Sequence, residues 1–410
     1  VSNDVLGYGS HGTVVFKGDF DGKKVAVKRQ LLDFYDMADR EVAILQDSDD
    51  HPNVIRYYCR ERCDRFLYIA LELCQMTLHD AIMQAHHGQP GLLAGLSQAQ
   101  LLYQIASGLH HLHSLNLVHR DLKPHNILVM SKAQTRATSG AGPATTATEV
   151  RVLISDFGLC KRLDVDQSSF GDSTLCQGSG TVGWRAQELL LPASPSSNDP
   201  TGMLASKPRV TRAIDVFAAG CVFYHVLTGG HHPFGDRYER ESNILEDKYD
   251  LSKLSMDRVA EAEARDLISA MIQYHPEHRP TMGQVLLHPF FWSAEKRLAF
   301  LQDASDRLEA EPRDVATSPL LRKLEANSIS IVGLDWSKRL DRSMLGQLGK
   351  FRRYDVRSVR DLLRAIRNKK HHYQDLPEAE RRLLGSIPDG FLAYYSTRFP
   401  VLLLYVYHIL

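Results

Sequence analysis

Glycine, lysine and glutamate residues near the amino terminus have the types and the spacing needed to hold a nucleoside triphosphate. The sequence GYGSHGTV fits the pattern G-x-G-x-x-G-x-V, and its glycines Gly7, Gly9 and Gly12 let backbone N–H groups approach phosphate oxygens without side-chain clash. The next strand pattern reads VAVK and ends at Lys28, whose ammonium would meet the α- and β-phosphates. Glu41, on a helical stretch, is the natural carboxylate partner of Lys28. This set predicts a nucleotide site.

Two further motifs are typical of phosphoryl transfer. The sequence HRDLKPHN contains Asp121, Lys123 and Asn126, and a DFG triplet begins at Asp156, 35 residues after Asp121. With four motifs in this order, residues 1–292 resemble the eukaryotic protein kinases. The resemblance implies that Asp121 accepts the proton of the substrate hydroxyl and that Lys123 neutralises the γ-phosphate. It also implies that Asn126 and Asp156 hold Mg²⁺.

The kinase resemblance further implies a fold and a set of nucleotide contacts. The expected fold class is α+β, with an N-lobe at 1–75 and a C-lobe at 76–292 forming a bilobal kinase domain. ATP or ADP is the expected nucleotide, and its adenine would meet the hinge backbone near Glu72 and Cys74. The residues expected to bind the nucleotide and its metal are Gly7, Gly9, Gly12, Val14, Ala26, Lys28, Glu41, Glu72, Cys74, Asn126 and Asp156.

The activation segment of the kinase pattern carries one departure and several candidate modification sites. The usual A-P-E reads AQE here, so Glu188 can still pair with Arg279, although Gln187 lacks the rigidity of proline. Arg120 precedes Asp121 and predicts control by phosphorylation, because a guanidinium can clamp a phosphate. The candidate phosphate acceptors are Ser168, Ser169, Ser173 and Thr174.

A second candidate site lies in a basic carboxy-terminal region. The whole chain has 49 Lys/Arg and 49 Asp/Glu, but residues 295–410 hold 21 basic and 15 acidic residues, a net charge of +6. Ser358 and Asp361 have the spacing of a helix start. The apolar stripe expected to be buried consists of Val359, Leu362, Leu363 and Ile366. The basic stripe on another face consists of Arg360, Arg364 and Arg367. Such a stripe attracts a polyanion, although a solvated face is the commoner explanation of a lone basic helix.

The residues after this helix add acid–base chemistry. The polar cluster there is Asn368, Lys369, Lys370, His371, His372 and Tyr373. Imidazole titrates near neutrality and can give a proton to a leaving oxygen. Among guanidinium and ammonium groups, it suits cleavage of a phosphodiester by the 2′-hydroxyl of RNA itself, with no metal required. A metal site is the poorer interpretation, because the neighbouring cations repel a divalent ion.

This region also resembles a known nuclease. The sequences KFRRY, ending at Tyr354, and RNKKHHY, which begins at Arg367, follow a kinase pattern that ends in HPFFW. They resemble the inositol-requiring kinase–endoribonucleases, the endoplasmic-reticulum sensors of the unfolded protein response. The interferon-linked ribonuclease is less similar because its kinase motifs are degraded. The resemblance implies that His372 is the general acid for the departing 5′-oxygen and that Tyr354 activates the 2′-hydroxyl or holds the phosphate. The residues implied to position or contact the phosphate are Arg367, Asn368 and Lys369.

Partners and location follow from the same resemblance. It implies a stem-loop RNA substrate, cleaved to a 2′,3′-cyclic phosphate and a 5′-hydroxyl. The active state would be a back-to-back homodimer or a higher oligomer, with Asp49 and Arg56 in the pairing surface. The nuclease domain is expected at 293–410 and to be mostly α-helical. The chain would be the cytosolic portion of a single-pass endoplasmic-reticulum membrane protein whose membrane segment precedes Val1.

The remaining sequence supplies the elements that must position these residues. With 410 residues, 43% hydrophobic and 24% charged, the composition excludes a disordered or collagen-like chain. Alternating apolar runs within 1–75 predict a sheet with one helix, and helical periods begin at Ser97. Residues 131–149 and 192–208 are predicted to be disordered insertions, because few large apolar residues occur there. The six cysteines show no paired framework and favour a reducing compartment.

Two alternatives to a dual kinase and endoribonuclease remain open at the level of sequence. One is a signalling kinase whose carboxy-terminal module binds RNA or protein without cutting it. The other is a nucleotide-sensing pseudokinase that only toggles the nuclease. The kinase residues are all present, which argues against the pseudokinase, and the intact RNKKHHY cluster argues against a module that only binds.

Overall fold

The structure, a computed structural model, describes residues 1–9, 12–32, 35–88, 91–136, 145–163, 180–191, 211–312, 315–344 and 353–410. Two compact units are present, one formed by residues 1–253 and 268–286 and the other by residues 254–267 and 287–410. The candidate phosphate acceptors Ser168, Ser169, Ser173 and Thr174 lie outside the described residues, as does the predicted insertion at 192–208.

The first unit begins with a five-stranded antiparallel sheet of order β1-β2-β3-β5-β4. Its strands are β1 Val5–Tyr8, β2 Val14–Phe20, β3 Lys23–Leu31, β4 Tyr57–Cys63 and β5 Phe66–Glu72. Helix α1, Tyr35–Ser48, follows β3. Asp21 and Gly22 join β2 to β3 with φ angles of 49° and 74°, and an Asp-Gly pair suits such a tight hairpin. The predicted sheet with one helix is confirmed.

The rest of the first unit is mainly helical, and the α+β fold class is confirmed. Its helices are α2 Leu78–His86, α3 Gln98–Ser114, α4 Gln187–Leu190, α5 Ala213–Leu227, α6 Arg240–Leu245, α7 Val259–Met271 (which extends into the second unit) and α8 Met282–Leu287. Its short strands are β6 Met76–Thr77, β7 Leu117–Val118 and β10 Lys161–Arg162. Ser97 caps α3 and Gln100 completes a capping box, which explains where the helical period begins. Helix α5 is apolar on all sides and is buried along almost its whole length.

A long hairpin differs from the prediction at residues 131–149. Strands β8, Ile127–Arg136, and β9, Thr145–Ile154, pair from Ile127↔Ile154 outward to Arg136↔Thr145. The prediction that this whole segment is unstructured is therefore wrong for 131–136 and 145–149. The composition lacks core-forming side chains, but a ladder is held by backbone hydrogen bonds, and threonine favours strands.

The second unit is a helical assembly around one apolar core. Its helices after α7 are α9 Ala294–Glu309, α10 Pro319–Glu325, α11 Ser328–Val332, α12 Val359–His371, α13 Glu378–Leu384, α14 Asp389–Ser396 and α15 Leu402–Ile409. Trp336 is fully buried in the core and donates its indole N–H to the carbonyl of Asp355, 3.1 Å away, just before α12 begins. Among the described residues, none of the helices combines the length and the apolarity needed to cross a bilayer.

Candidate active sites

Lys28 lies at the centre of the amino-terminal sheet, on β3, opposite Ile69 of β5. Its Nζ is 2.6 Å from Oε1 of Glu41 on α1 and 3.0 Å from Oδ1 of Asp156. Gln30 donates to the second carboxylate oxygen of Glu41 at 2.8 Å. Burial alone would lower the pKa of Lys28, but the two carboxylates outweigh it and raise the pKa, so the ammonium stays charged. The predicted Lys28–Glu41 pair is formed.

The glycine-rich segment is a hairpin between β1 and β2. The N–H of Gly9 donates to the carbonyl of Thr13 at 2.8 Å. Gly12 has φ +73°, a conformation that L side chains rarely adopt, so this position needs glycine. Val14 opens β2 and Ala26 lies on β3, opposite Lys17. Gly9 and Gly12 therefore lie beside the facing ends of β1 and β2, and Lys28 lies on the adjacent strand β3.

The hinge residues lie at the end of β5. The carboxylate of Glu72 is buried and contacts Lys132 at 3.3 Å and Arg151 at 3.5 Å. Burial, followed by the nearby Glu72 carboxylate, raises the pKa of Cys74 to about 12, so its thiol is protonated at neutral pH. The Glu72 side chain is thus paired within the protein, and the backbone at Glu72 and Cys74 is the part that the kinase pattern assigns to adenine.

The catalytic loop is a closed hydrogen-bond network around Asp121. Lys123 Nζ lies 2.8 Å from Asp121 Oδ2, and Asn126 donates its amide N–H to the same oxygen at 2.9 Å. Thr181 donates its hydroxyl to Asp121 Oδ1 at 2.7 Å and accepts from Lys123 at 2.5 Å. Thr181 lies 60 residues from Asp121 and was not among the predicted site residues. The network fixes the carboxylate that the kinase pattern assigns as proton acceptor.

Asp215 of α5 holds the backbone of this loop in place. Its carboxylate accepts the backbone N–H groups of His119 and Arg120, each at 2.8 Å, and the imidazole of His113 at 3.0 Å. Burial would raise the pKa of Asp215, but these hydrogen bonds outweigh it and lower the pKa. Arg120 has φ 69°, and such a backbone conformation persists where the surroundings hold it.

The end of the activation segment keeps its ion pair without the proline. Glu188 and Arg279 form a buried bidentate pair, with N–O distances of 2.7 and 3.0 Å. Gln187 donates its amide N–H to the carbonyl of Tyr274, and its Oε1 has no hydrogen-bond partner among the described residues. The expected survival of the ion pair is confirmed.

The described side chains suit Mg²⁺, because this ion takes few protein ligands. Asn126 directly precedes β8 and Asp156 follows β9, and Ile127 pairs with Ile154, so the topology brings the two side chains together. The amide nitrogen of Asn126 is committed to Asp121, which leaves its oxygen for a cation. Among the described residues, no group of three or more His, Cys, Asp or Glu could hold a metal, and Mg²⁺ usually takes only one or two carboxylates besides phosphates and water.

Tyr354, Asn368 and Arg367 meet in the second unit. Asn368 donates to the phenol oxygen of Tyr354 at 3.0 Å, and Arg367 donates to Asn368 Oδ1 at 3.3 Å. Arg367 also pairs with Asp306 of α9 at 2.5 Å. Ser358 caps α12 by accepting the N–H of Asp361 at 3.1 Å, as the spacing predicted. The helix start therefore sets which residues of α12 face Tyr354.

His372 terminates α12 and lies on the surface. Its side chain is 72% exposed, and its Nδ1 is 3.1 Å from Oδ2 of Asp375. The adjacent His371 faces Gln302 instead, with 3.2 Å between the two Nε2 atoms. Asp375 was not among the predicted site residues. Its signal in the sequence is an acidic residue three positions after a histidine.

Several basic residues expected to attract RNA are instead held inside the protein. The predicted apolar stripe of α12 is confirmed, each member being at most 1% exposed. Arg360 is buried and donates to the carbonyls of Glu311 and Pro312, each at 3.2 Å. Arg364 pairs with Glu309 and with Asp361. The prediction of a polyanion-attracting stripe is therefore wrong for Arg360 and Arg364, because backbone carbonyls bind the first guanidinium and carboxylates pair with the second.

Lys369 requires a similar correction. Its ammonium is 3.5 Å from Oε2 of Glu380, and both side chains are only 7% exposed. Burial lowers the pKa of Lys369, partly offset by Glu380. The prediction of a contact with RNA is wrong for a side chain in this position.

Comparison with known proteins places both units in families. The family model described as a protein kinase domain matches residues 1–291, and the model described as ribonuclease 2-5A matches residues 297–410. A Schizosaccharomyces pombe protein named as a sensor for unfolded proteins in the ER is 47% identical over 409 residues, covering 99% of this chain and 37% of its own length. The human serine/threonine-protein kinase/endoribonuclease IRE2 is 46% identical over 405 residues, covering 98% of this chain and 40% of its own length.

A third relative gives the same result. The Caenorhabditis elegans serine/threonine-protein kinase/endoribonuclease ire-1 is 44% identical over 405 residues, covering 99% of this chain and 38% of its own length. The chain thus spans less than half the length of each of these relatives. The kinase match and the adjoining ribonuclease 2-5A match agree with the hydrogen-bond networks that surround Asp121 and Asn368. The chain therefore belongs to the protein kinase family, in the kinase–endoribonuclease branch in which a ribonuclease 2-5A domain follows the kinase domain.

Proposed function

We propose that this chain is a dual enzyme of the unfolded protein response. It is a Ser/Thr kinase that phosphorylates its own kind and a metal-independent endoribonuclease that cleaves stem-loop RNA. The observation that supports the proposal is that each unit holds a connected hydrogen-bond network, around Asp121 in the first and around Asn368 in the second. The names of the relatives support this pairing of activities.

In the kinase reaction the described residues position the reacting groups and neutralise phosphate charge. Lys28, held by Glu41, meets the α- and β-phosphates of ATP or ADP, and backbone groups of the glycine-rich hairpin surround them. Asn126 and Asp156 would hold Mg²⁺, which would neutralise phosphate charge when bound. Asp121 accepts the substrate's hydroxyl proton while Lys123 faces the γ-phosphate. The other proposed nucleotide contacts are Gly7, Gly9, Gly12, Val14, Ala26 and the backbone at Glu72 and Cys74.

In the nuclease reaction the RNA supplies its own nucleophile. The 2′-oxygen forms a bond to phosphorus as the bond from phosphorus to the 5′-oxygen breaks. His372 gives its proton to the departing 5′-oxygen. The 2′-hydroxyl lies beside the phenol oxygen of Tyr354, and its proton passes to solvent there. Arg367 and Asn368 hold the phosphate oxygens. The products are a 2′,3′-cyclic phosphate and a 5′-hydroxyl, and His372 regains its proton from water.

Partners and location extend the proposal. Self-association as a back-to-back homodimer or higher oligomer would use Asp49 and Arg56, which are half-buried and exposed respectively. Phosphate acceptors at Ser168, Ser169, Ser173 and Thr174 would regulate this state. The relatives' role as unfolded-protein sensors in the endoplasmic reticulum supports placing this chain in the cytosolic portion of such a protein.

One experiment tests both activities. The chain is incubated with γ-labelled ATP, Mg²⁺ and a hairpin RNA, and compared with Asp121→Asn and Asn368→Ala. We expect wild type to incorporate label and to cut the RNA to a cyclic phosphate end. Asp121→Asn should lose at least about 100-fold in label incorporation, because the proton acceptor is gone. Asn368→Ala should lose cleavage and keep nucleotide binding.

The alternatives give different results in the same experiment. RNA that is bound but remains uncut by the wild type indicates a carboxy-terminal binding module. Cleavage without label incorporation indicates a nucleotide-sensing pseudokinase. Either result contradicts the dual activity.

A further inference from the structure

Asp375 is the acidic side chain that contacts the exposed imidazole of the nuclease unit. His372 and Asp375 are 72% and 76% exposed, and their 3.1 Å contact joins Nδ1 to a carboxylate oxygen. Because Nδ1 is occupied, Nε2 is the ring nitrogen that can face a substrate. His371 faces Gln302 on α9, so the two adjacent histidines have different partners.

The turn that carries this pair is anchored on the interior of the unit. His372 follows the last residue of α12 and donates its backbone N–H to the carbonyl of Asn368 at 3.0 Å. Asp375 in turn donates its backbone N–H to the carbonyl of His372 at 3.1 Å. Tyr373, between them, donates its hydroxyl to the carbonyl of Gly385 at 2.7 Å and packs edge-on against Phe391. The backbone that carries the exposed side chains of His372 and Asp375 is therefore held in place by these contacts.

We infer that Asp375 is a positioning residue for the general acid. It accepts the Nδ1–H of His372 and so holds the imidazole with Nε2–H directed outward, toward the departing 5′-oxygen. The inference rests on the proposed nuclease function and deepens it. An isolated exposed pair contributes little to stability, so the expected effect is on orientation and on the cleavage step.

The test compares two leaving groups on the same hairpin RNA. One substrate has the normal 5′-oxygen at the scissile bond, and the other has a bridging 5′-sulfur, which departs as a thiolate and needs no proton. Single-turnover cleavage by wild type is measured beside Asp375→Ala, Asp375→Glu and the matched control Glu378→Ala. Glu378 is an exposed carboxylate on the next helix that pairs with Arg382 and forms no hydrogen bond or ion pair with His372.

We expect Asp375→Ala to slow cleavage of the oxygen substrate about tenfold or more, as a fraction of what a general acid contributes. The sulfur substrate should be cut within about twofold of wild type, since the proton donor is not needed there. Asp375→Glu should restore most of the rate, and Glu378→Ala should match wild type. In a His372→Ala background, Asp375→Ala should add no further loss, because the residues act as a unit. Binding of a hairpin with a 2′-deoxy scissile nucleotide should be unchanged.

Three results would overturn the inference. Equal slowing of both substrates means that Asp375 acts on the fold or on RNA binding. An Asp375→Ala rate equal to that of Glu378→Ala, with an active wild type, removes the positioning role and leaves the nuclease proposal intact. A wild type that cuts neither substrate removes both.

Discussion

Gln187, at the position where kinases of this pattern carry proline, allows a direct test of how the activation segment is held. The substitution Q187P restores the proline. Gln187 is the first residue of α4, where the backbone N–H has no intrahelical partner and proline is tolerated. Ala186 has φ −68° and ψ 155°, the extended conformation that a residue before proline adopts. The backbone is thus already shaped for the ring.

The expected stability change is the sum of four effects. Proline at a compatible position stabilises by about 0.4–1 kcal/mol through the unfolded chain. Removing the buried Oε1, which has no partner among the described residues, gains about 1–3 kcal/mol. Losing the amide hydrogen bond to Tyr274 costs about 0.5–1.5 kcal/mol, and that carbonyl keeps Arg279 at 3.0 Å. Proline is smaller than glutamine, and the small cavity that it leaves costs roughly 1 kcal/mol. The net is a gain of about 1 kcal/mol.

Thermal denaturation of the full chain, followed without nucleotide, measures this change. For a unit of roughly 270 residues, about 1 kcal/mol corresponds to a rise in Tm of roughly 2 °C. Q187A is the matched control, because it also removes the amide but leaves the backbone unrestricted. Q187P should melt above Q187A. A Q187P protein that melts below Q187A would show that the backbone at this position does not accept proline, and would refute the reasoning.

Three further outcomes follow from buried groups. Burial, then the neighbouring His79, lowers the pKa of His225 to about 4, so the folded state binds fewer protons than the unfolded state. The unfolding free energy should fall by about 3 kcal/mol as pH drops from 6.5 to 4, and His225→Phe should flatten this slope in denaturation experiments. Lys369→Met should destabilise by about 3–5 kcal/mol in denaturant titrations by leaving Glu380 buried and unpaired, and a second Met at Glu380 should restore most of it. Arg360→Met should leave the salt dependence of RNA binding unchanged, since its guanidinium is internal; a smaller salt slope would contradict this.

Much of the first unit followed from local pattern. The sheet with one helix, the helical period after Ser97 and the pairing of Lys28 with Glu41 were all readable from the sequence, because motif order and spacing constrain them. Thr181 was not readable, since its contact with Asp121 joins positions 60 residues apart. The hairpin of β8 and β9 was also missed, because a ladder of backbone hydrogen bonds leaves little compositional signal.

Helix α12 shows both what the sequence determined and what tertiary structure decided. Its start at Ser358 and its buried face were determined by the sequence alone, because a cap and a 3.6-residue period are local properties. Whether an arginine on the other faces meets solvent or a carboxylate was decided only by tertiary structure. Arg364 is neutralised by Glu309, 55 positions earlier, whereas His372, about two turns further along, remains exposed. A charge is visible in a sequence, but its partner depends on which distant segment folding brings beside it.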